Sequence, residues 1–387
     1  MISDTIENKF YVFFSASFSG GFKIIAVSLI TYLFSSEIVV DFNTAYFIVM
    51  LCVSFGVIPL ASLMTTKDFS LSIVGKFFWL FILSTFSCAL LYLFANLLDF
   101  SINIQNIYLY ACVILLGAYE IVRRELSNNS FFKKIFQGGM LSVAFFLPIF
   151  FVKDLAFFSA QVILLFFSMC FTLPVIFGLF QQSASASICG GGSAKEFLKN
   201  YGAASVSNAT STLVSFLLPL LLIYLLKGDV SHYLGLVFSL ASFFMLIPRF
   251  MAEKNIPAMR RGGDFRAISM GAFKVTFLYF IFLAGTSFVA FYFSAIGDNY
   301  LLYFLLFLSL QITQLSLPFS NVLMVKGNFR DLLNINICGI TPFLFLPLAI
   351  ASNFDGVFLS YLTVFLYIFS NVLKVILSWR CCHLINN

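Results

Sequence analysis

The sequence predicts an all-α polytopic membrane protein. It should hold about twelve transmembrane helices in two pseudo-symmetric six-helix bundles, with both termini cytoplasmic. Three observations lead there. The chain is 61% hydrophobic and 10% charged, with a mean hydropathy of +1.02, where a soluble domain carries roughly 25% charge. Apolar runs of about 20 residues recur along its whole length, each enough to cross a hydrocarbon core about 30 Å thick as a helix. Lys and Arg concentrate in alternate connections, as the orientation rule for membrane helices requires. Lipid admits only helices and closed barrels, and long unbroken apolar runs exclude a barrel.

In chain order the expected spans are 10–34, 43–65, 77–98, 104–124, 135–152, 156–180, 201–226, 232–252, 271–295, 300–323, 332–351 and 356–378. One set of connections holds Lys67, Lys76, Arg123, Arg124, Lys133, Lys134, Lys195, Lys199, Arg249, Lys254, Arg260, Arg261, Arg266, Lys326 and Arg330. Lys9 and Arg380 place both ends on that side, which is the cytoplasm. The opposite connections hold Lys153 and Lys227 beside Glu37, Asp41, Asp99, Asp154, Asp229, Asp298 and Asp355. The net charge of +6 is thus a cytoplasmic rim, not a nucleic-acid surface. Asp4 and Glu7 precede a first apolar run too long for a cleaved signal, so none is expected.

The halves look like a parallel repeat. "KFYVFFSAS" at 9–17 and "KNYGAASVS" at 199–207 share Lys, Tyr, Ser and Ser in register. Pro59 and Pro248 end the second and eighth spans, and Lys76 and Lys274 open the third and ninth. The expected organisation is a six-helix lobe at 1–180, a cytoplasmic linker at 181–196 and a second lobe at 197–387. The linker follows from "QQSASASICGGGSA", a composition that stays flexible. Repeats of this kind with a cavity between them are a transporter architecture.

The polar residues inside the spans carry the functional reading. Lys23 lies about 13 residues into the first span, roughly 20 Å along the helix. A lysine at mid-helix costs about 2.5–3.5 kcal/mol to insert. Its helical face carries Ser19, Gly20 and Thr31. No Asp or Glu is expected at its depth. Lys23 is then a neutral amine held by hydroxyls and carbonyls, or lies nearer the surface in a shifted register, or takes its partner from an anionic substrate. Gln311 and Gln314 share one face of the tenth span, where helix–helix hydrogen bonding and cavity lining are equal readings. Asn208 in the seventh span and Asn371 in the twelfth are weaker cases. Arg249, after Pro248, guards a cavity mouth or simply marks the inner rim. Glu120, Arg123 and Arg124 have the spacing of a helix-surface ion pair. Seven in-span prolines, at 59, 174, 219, 248, 318, 342 and 347, are expected to kink their helices.

Catalytic and metal chemistry find no support. His232 and His383 are the two histidines and fall near span ends. The eight cysteines are scattered as small hydrophobes, with no Cys-x-x-Cys pair for zinc. The 54 phenylalanines read as lipid-tolerated bulk. No catalytic residue, metal or cofactor is expected, and the chain is not expected to be an enzyme.

Several stretches carry a family resemblance: "GGFKIIAVSLITYLFS", "IPLASLMT", "LIPRFMAEKNIPAMRR" and "LPFSNVLMVKGNFRDLLNINI". With the topology they resemble the multidrug/oligosaccharidyl-lipid/polysaccharide (MOP) superfamily over essentially the whole chain. Within it the sequence is similar to Wzx-type O-antigen and polysaccharide flippases. The resemblance implies a MATE-like fold in a bacterial inner membrane. It implies movement of an undecaprenyl-diphosphate-linked oligosaccharide from the cytoplasmic to the periplasmic leaflet by alternating access. It implies a central cationic cavity, here Lys23, Ser19, Thr31, Asn208, Arg249, Gln311 and Gln314. Membrane lipids, a polysaccharide polymerase and a chain-length regulator are the implied partners, and nucleic acid is not one. A cation-coupled multidrug exporter of the same fold is the main rival, and it needs the mid-span carboxylate that the sequence lacks. A membrane glycan-modifying enzyme is the rival of another class.

Overall fold

A computed structural model of the protein describes residues 2–64, 72–97, 105–128, 131–152, 159–180, 194–226, 232–260, 262–293, 299–352 and 354–385. Every described element is helical. The helices of six or more residues are α1 (Ile2–Leu33), α2 (Ser36–Leu63), α3 (Ile73–Leu97), α4 (Asn106–Asn128), α5 (Phe132–Phe146) and α6 (Ala160–Phe180). They continue with α7 (Ala194–Leu226), α8 (Leu234–Phe244), α9 (Leu246–Arg260), α10 (Phe265–Tyr292) and α11 (Tyr300–Thr313). The last are α12 (Leu317–Val325), α13 (Phe329–Ile340), α14 (Leu346–Ala351) and α15 (Gly356–Ile385).

Among the described residues, nine helical stretches are long and apolar enough to cross a membrane. The pair α8–α9, bent by 41°, makes ten. The first and seventh expected spans fall on α1 and α7, whose described apolar stretches are the shorter Gly21–Leu33 and Ser215–Leu226. The expected linker, through residue 193, lies outside the described residues.

The prolines divide into two groups. Pro59, Pro174 and Pro219 sit inside unbroken helices. Elsewhere the helix does change. The 3-10 turn Gln314–Ser316 precedes Pro318 and separates α11 from α12. A second turn, Thr341–Phe345, holds Pro342 and leads into α14, where Pro347 sits at the start. Proline removes one helical donor and clashes with the carbonyl four residues back, so a tightened turn is one accommodation.

The chain forms two compact units. One comprises Met1–Phe18 and Ser28–Leu217, the other Ser19–Val27 and Leu218–Asn387. The division therefore runs through α1 and α7 and not between helices. In the first unit α6 packs on α4, α5 and α2. Its interior is aromatic. Tyr119 and Phe171 have ring centroids 4.1 Å apart, and Phe167 lies 5.9 Å from Phe171 and 6.0 Å from Phe42. Helices in lipid gain little from the hydrophobic effect and associate through dense contact. Each well-placed ring pair adds about 0.5–1.5 kcal/mol, so part of the phenylalanine content does structural work. Tyr201 on α7 joins this unit by donating its hydroxyl to the Gly56 carbonyl of α2 at 2.8 Å. In the second unit α15 packs on α11 and α13, α8 on α11, and α9 on α12.

Candidate functional site

Of the seven residues expected to line a cavity, five have side chains among the described residues. Lys23 is half-buried on α1, within the stretch that groups with the second unit. Thr31, two turns on, has its hydroxyl buried with no hydrogen-bond partner among the described residues. The side chains of Ser19 and Asn208 lie outside the described residues. Arg249 is half-buried on α9, its Nη2 3.5 Å from Met245 Sδ one turn earlier. Gln311 and Gln314 do lie together where α11 tightens, 3% and 6% exposed. Gln311 Nε2 donates to the Ala241 carbonyl of α8 at 3.0 Å. That is the helix–helix bond of the first reading of this pair.

The Glu120–Arg123 pair forms at 3.1 Å and is more sheltered than a helix-surface pair, with side chains 23% and 16% exposed. Nearby, Lys76 Nζ lies 2.7 Å from Glu125 Oε2, joining α3 to α4. Lys76 is 8% exposed, so it is a buried partner. Its counterpart in the sequence repeat, Lys274, is exposed. The repeat therefore matches residues here without matching their environments.

The residue that sequence reasoning missed is Lys374. It is 5% exposed on α15. Its stem lies against the backbone of Gly339 on α13. A Cβ there would overlap Lys374 Cε and stand 2.8 Å from its Cγ. The Ser370 hydroxyl donates to the Gly339 carbonyl, holding the two helices at this close approach. Gly339 is about ten residues beyond the start of α13, roughly 15 Å along its axis. Side chains tilt toward the start of their own helix, so Lys374 leans away from the Arg380 end of α15. No hydrogen bond or ion pair engages its ammonium among the described residues.

Lys374 belongs to a buried polar face. Ser360, Thr363, Ser370, Asn371, Lys374 and Ser378 are each at most 5% exposed. Asn371 Nδ2 donates to the Ser309 carbonyl of α11 at 3.1 Å. Its Oδ1 and the Ser378 hydroxyl are buried with no partner among the described residues. The signal was present in the sequence as polar residues at helical spacing through "SYLTVFLYIFSNVLKVILS". Such a stripe in a membrane helix turns inward because exposing it to lipid costs more.

No known family profile matches the chain, and no curated protein does. Solved structures do. A multidrug resistance MATE family transporter of the MOP superfamily, in an outward-facing conformation, aligns with a TM-score of 0.63 at 12% identity. The alignment covers 98% of this chain and 95% of that one. The chain has the MATE fold. A MOP superfamily transporter from Pyrococcus furiosus aligns at 0.60 and 11% identity over 99% of this chain and 96% of its own. A mutant of the Vibrio cholerae MATE transporter VcmN aligns at 0.57 and 15% identity, over 98% and 95%. The MATE fold accounts for the full length of the chain. At these identities the likeness is one of architecture, so what the chain carries must be argued from its own side chains.

Proposed function

We propose that the protein is a flippase for an undecaprenyl-diphosphate-linked oligosaccharide, moving it from the cytoplasmic to the periplasmic leaflet of a bacterial inner membrane by alternating access. The observation that carries this reading is the charge balance inside the membrane. Lys374 is buried without an ion pair among the described residues. The described carboxylates of α4 are already engaged, Glu120 by Arg123 and Glu125 by Lys76. A buried basic group that meets no carboxylate suits a cargo that brings its own negative charge, as a diphosphate does. A cationic drug would need the opposite arrangement. The report of the Pyrococcus furiosus transporter describes a binding pocket of reverse polarity that suggests a different function for it. Polarity can therefore change on this fold.

Deleting the gene and analysing the lipids tests it. Lipid-linked repeat units should accumulate facing the cytoplasm while surface polysaccharide is lost. Normal surface polysaccharide, or drug efflux from vesicles holding the purified protein with no movement of lipid-linked sugar, would overturn it.

A further inference from the structure

The polar face of α15 is satisfied at one end and unmet at the other. The Ser360 hydroxyl donates to the Gly356 carbonyl at 2.8 Å, and the Thr363 hydroxyl to the Leu359 carbonyl at 2.6 Å. Bonding four residues back is how a membrane helix commonly quiets a hydroxyl. Ser370 instead donates across to Gly339. Ser378 does neither. It is fully buried, and its hydroxyl has no partner among the described residues. The same holds for Asn371 Oδ1 and for the Lys374 ammonium. The unmet groups are therefore gathered, not scattered. Asn371, Lys374 and Ser378 stand three and four residues apart, a spacing that stacks them on one helix face. Together they cover about 10 Å of the axis.

Each group needs a different complement. An ammonium only donates, and a hydroxyl donates or accepts. The amide of Asn371 has its nitrogen committed to the Ser309 carbonyl at 3.1 Å. A carbonyl can be met only by the nitrogen end, so the free end is the oxygen, which only accepts. The cargo proposed above carries a diphosphate esterified at both ends. At neutral pH such a diphosphate has no P–OH and offers acceptors alone. It can satisfy Lys374 and Ser378, but it has nothing to give Asn371. The donor that Asn371 lacks must come from a neighbouring part of the cargo. The sugar joined to the diphosphate has hydroxyl or amide protons to offer.

The order of the three along α15 fits that cargo. The charge pattern of the sequence puts the end of α15 at the cytoplasmic surface, so Ser378 lies on the cytoplasmic side of Lys374 and Asn371 on the far side. A cargo whose lipid tail is held in the cytoplasmic leaflet enters sugar first. Asn371 stands roughly 4.5 Å beyond Lys374 along the axis, a step of about one sugar ring. We propose, resting on the flippase reading above, that Asn371 is a specificity-determining residue. Its Oδ1 accepts a hydrogen bond from the sugar joined to the diphosphate, while Lys374 and Ser378 hold the diphosphate itself. In this structure Gly339 of α13 lies against the Lys374 stem, so the face is closed, and the cargo engages it when α13 and α15 part.

The test uses the full chain in reconstituted vesicles with two cargoes. One is undecaprenyl diphosphate bearing a single N-acetylglucosamine. The other is the same diphosphate capped by a methyl group, which keeps the charge and removes every sugar donor. The parent should move the sugar-bearing cargo at least tenfold faster, since a site built to bond a donor rejects the analogue without one. N371L should slow that cargo alone and bring the ratio of the two rates close to one. The ratio does not depend on how much protein is folded, so a merely structural role would not move it. N371A has the same expected ratio and serves if N371L does not fold. S378A should slow both cargoes and keep the parent ratio. A parent that moves both cargoes equally, or N371L and N371A variants with the parent ratio, would overturn the role of Asn371 and leave the flippase reading standing. S378A at the parent rate would remove Ser378 from the site. A parent that moves neither cargo would overturn the flippase reading, and this assignment with it.

Discussion

Two lysines, one in each unit, are buried to nearly the same degree and are held in opposite ways. Lys76 is 8% exposed and pairs with Glu125 at 2.7 Å. Lys374 is 5% exposed, lies on the bare backbone of Gly339, and meets no carboxylate among the described residues. A buried ion pair supports itself, and each partner makes the other tolerable. A buried ammonium without one is a standing cost in a membrane. The first arrangement is explained by structure. The second calls for a use, and transport of an anion is the use proposed above.

The largest expected effect on stability comes from breaking the paired case. E125A should destabilise the first unit by about 3–5 kcal/mol, because it strands the Lys76 charge. Unfolding of the solubilised protein measures it, and K76M/E125M should restore most of the loss. Next is G339A. A methyl group there meets the Lys374 stem, an overpacking that costs about 1–3 kcal/mol. The cost should shrink in K374A/G339A, and a double-mutant cycle with no coupling would break the account of that contact. Third, Q311L removes the donor to the Ala241 carbonyl and should cost about 1 kcal/mol. The smallest change in stability belongs to K374M. A flexible apolar chain of similar length replaces the ammonium on Gly339, and unfolding should be unchanged or slightly harder.

The sequence made the fold legible for physical reasons. Run length and the side taken by Lys and Arg both follow from the bilayer and not from tertiary detail. The proline positions were less informative, because Pro59 and Pro174 fit unbroken helices while Pro318 and Pro342 adjoin 3-10 turns. The aromatic interior around Tyr119 and Phe171 was hidden because composition cannot tell a lipid-facing phenylalanine from a packed one. Lys374 was hidden by its position, one turn before the expected end of its span, where a lysine usually reaches the surface. Gly339 explains why this one does not, and that contact between α13 and α15 is invisible along a single chain. Lys76 shows the converse, since its rim-like place in the sequence hid a buried partner.

The most direct measurement of the central claim is transport by K374M in reconstituted vesicles. It should be compared with the parent at equal folded protein, using a lipid-linked oligosaccharide diphosphate as cargo. The account predicts movement across the bilayer at least tenfold slower while the unfolding midpoint is held or raised. Parent-like transport by K374M would contradict it.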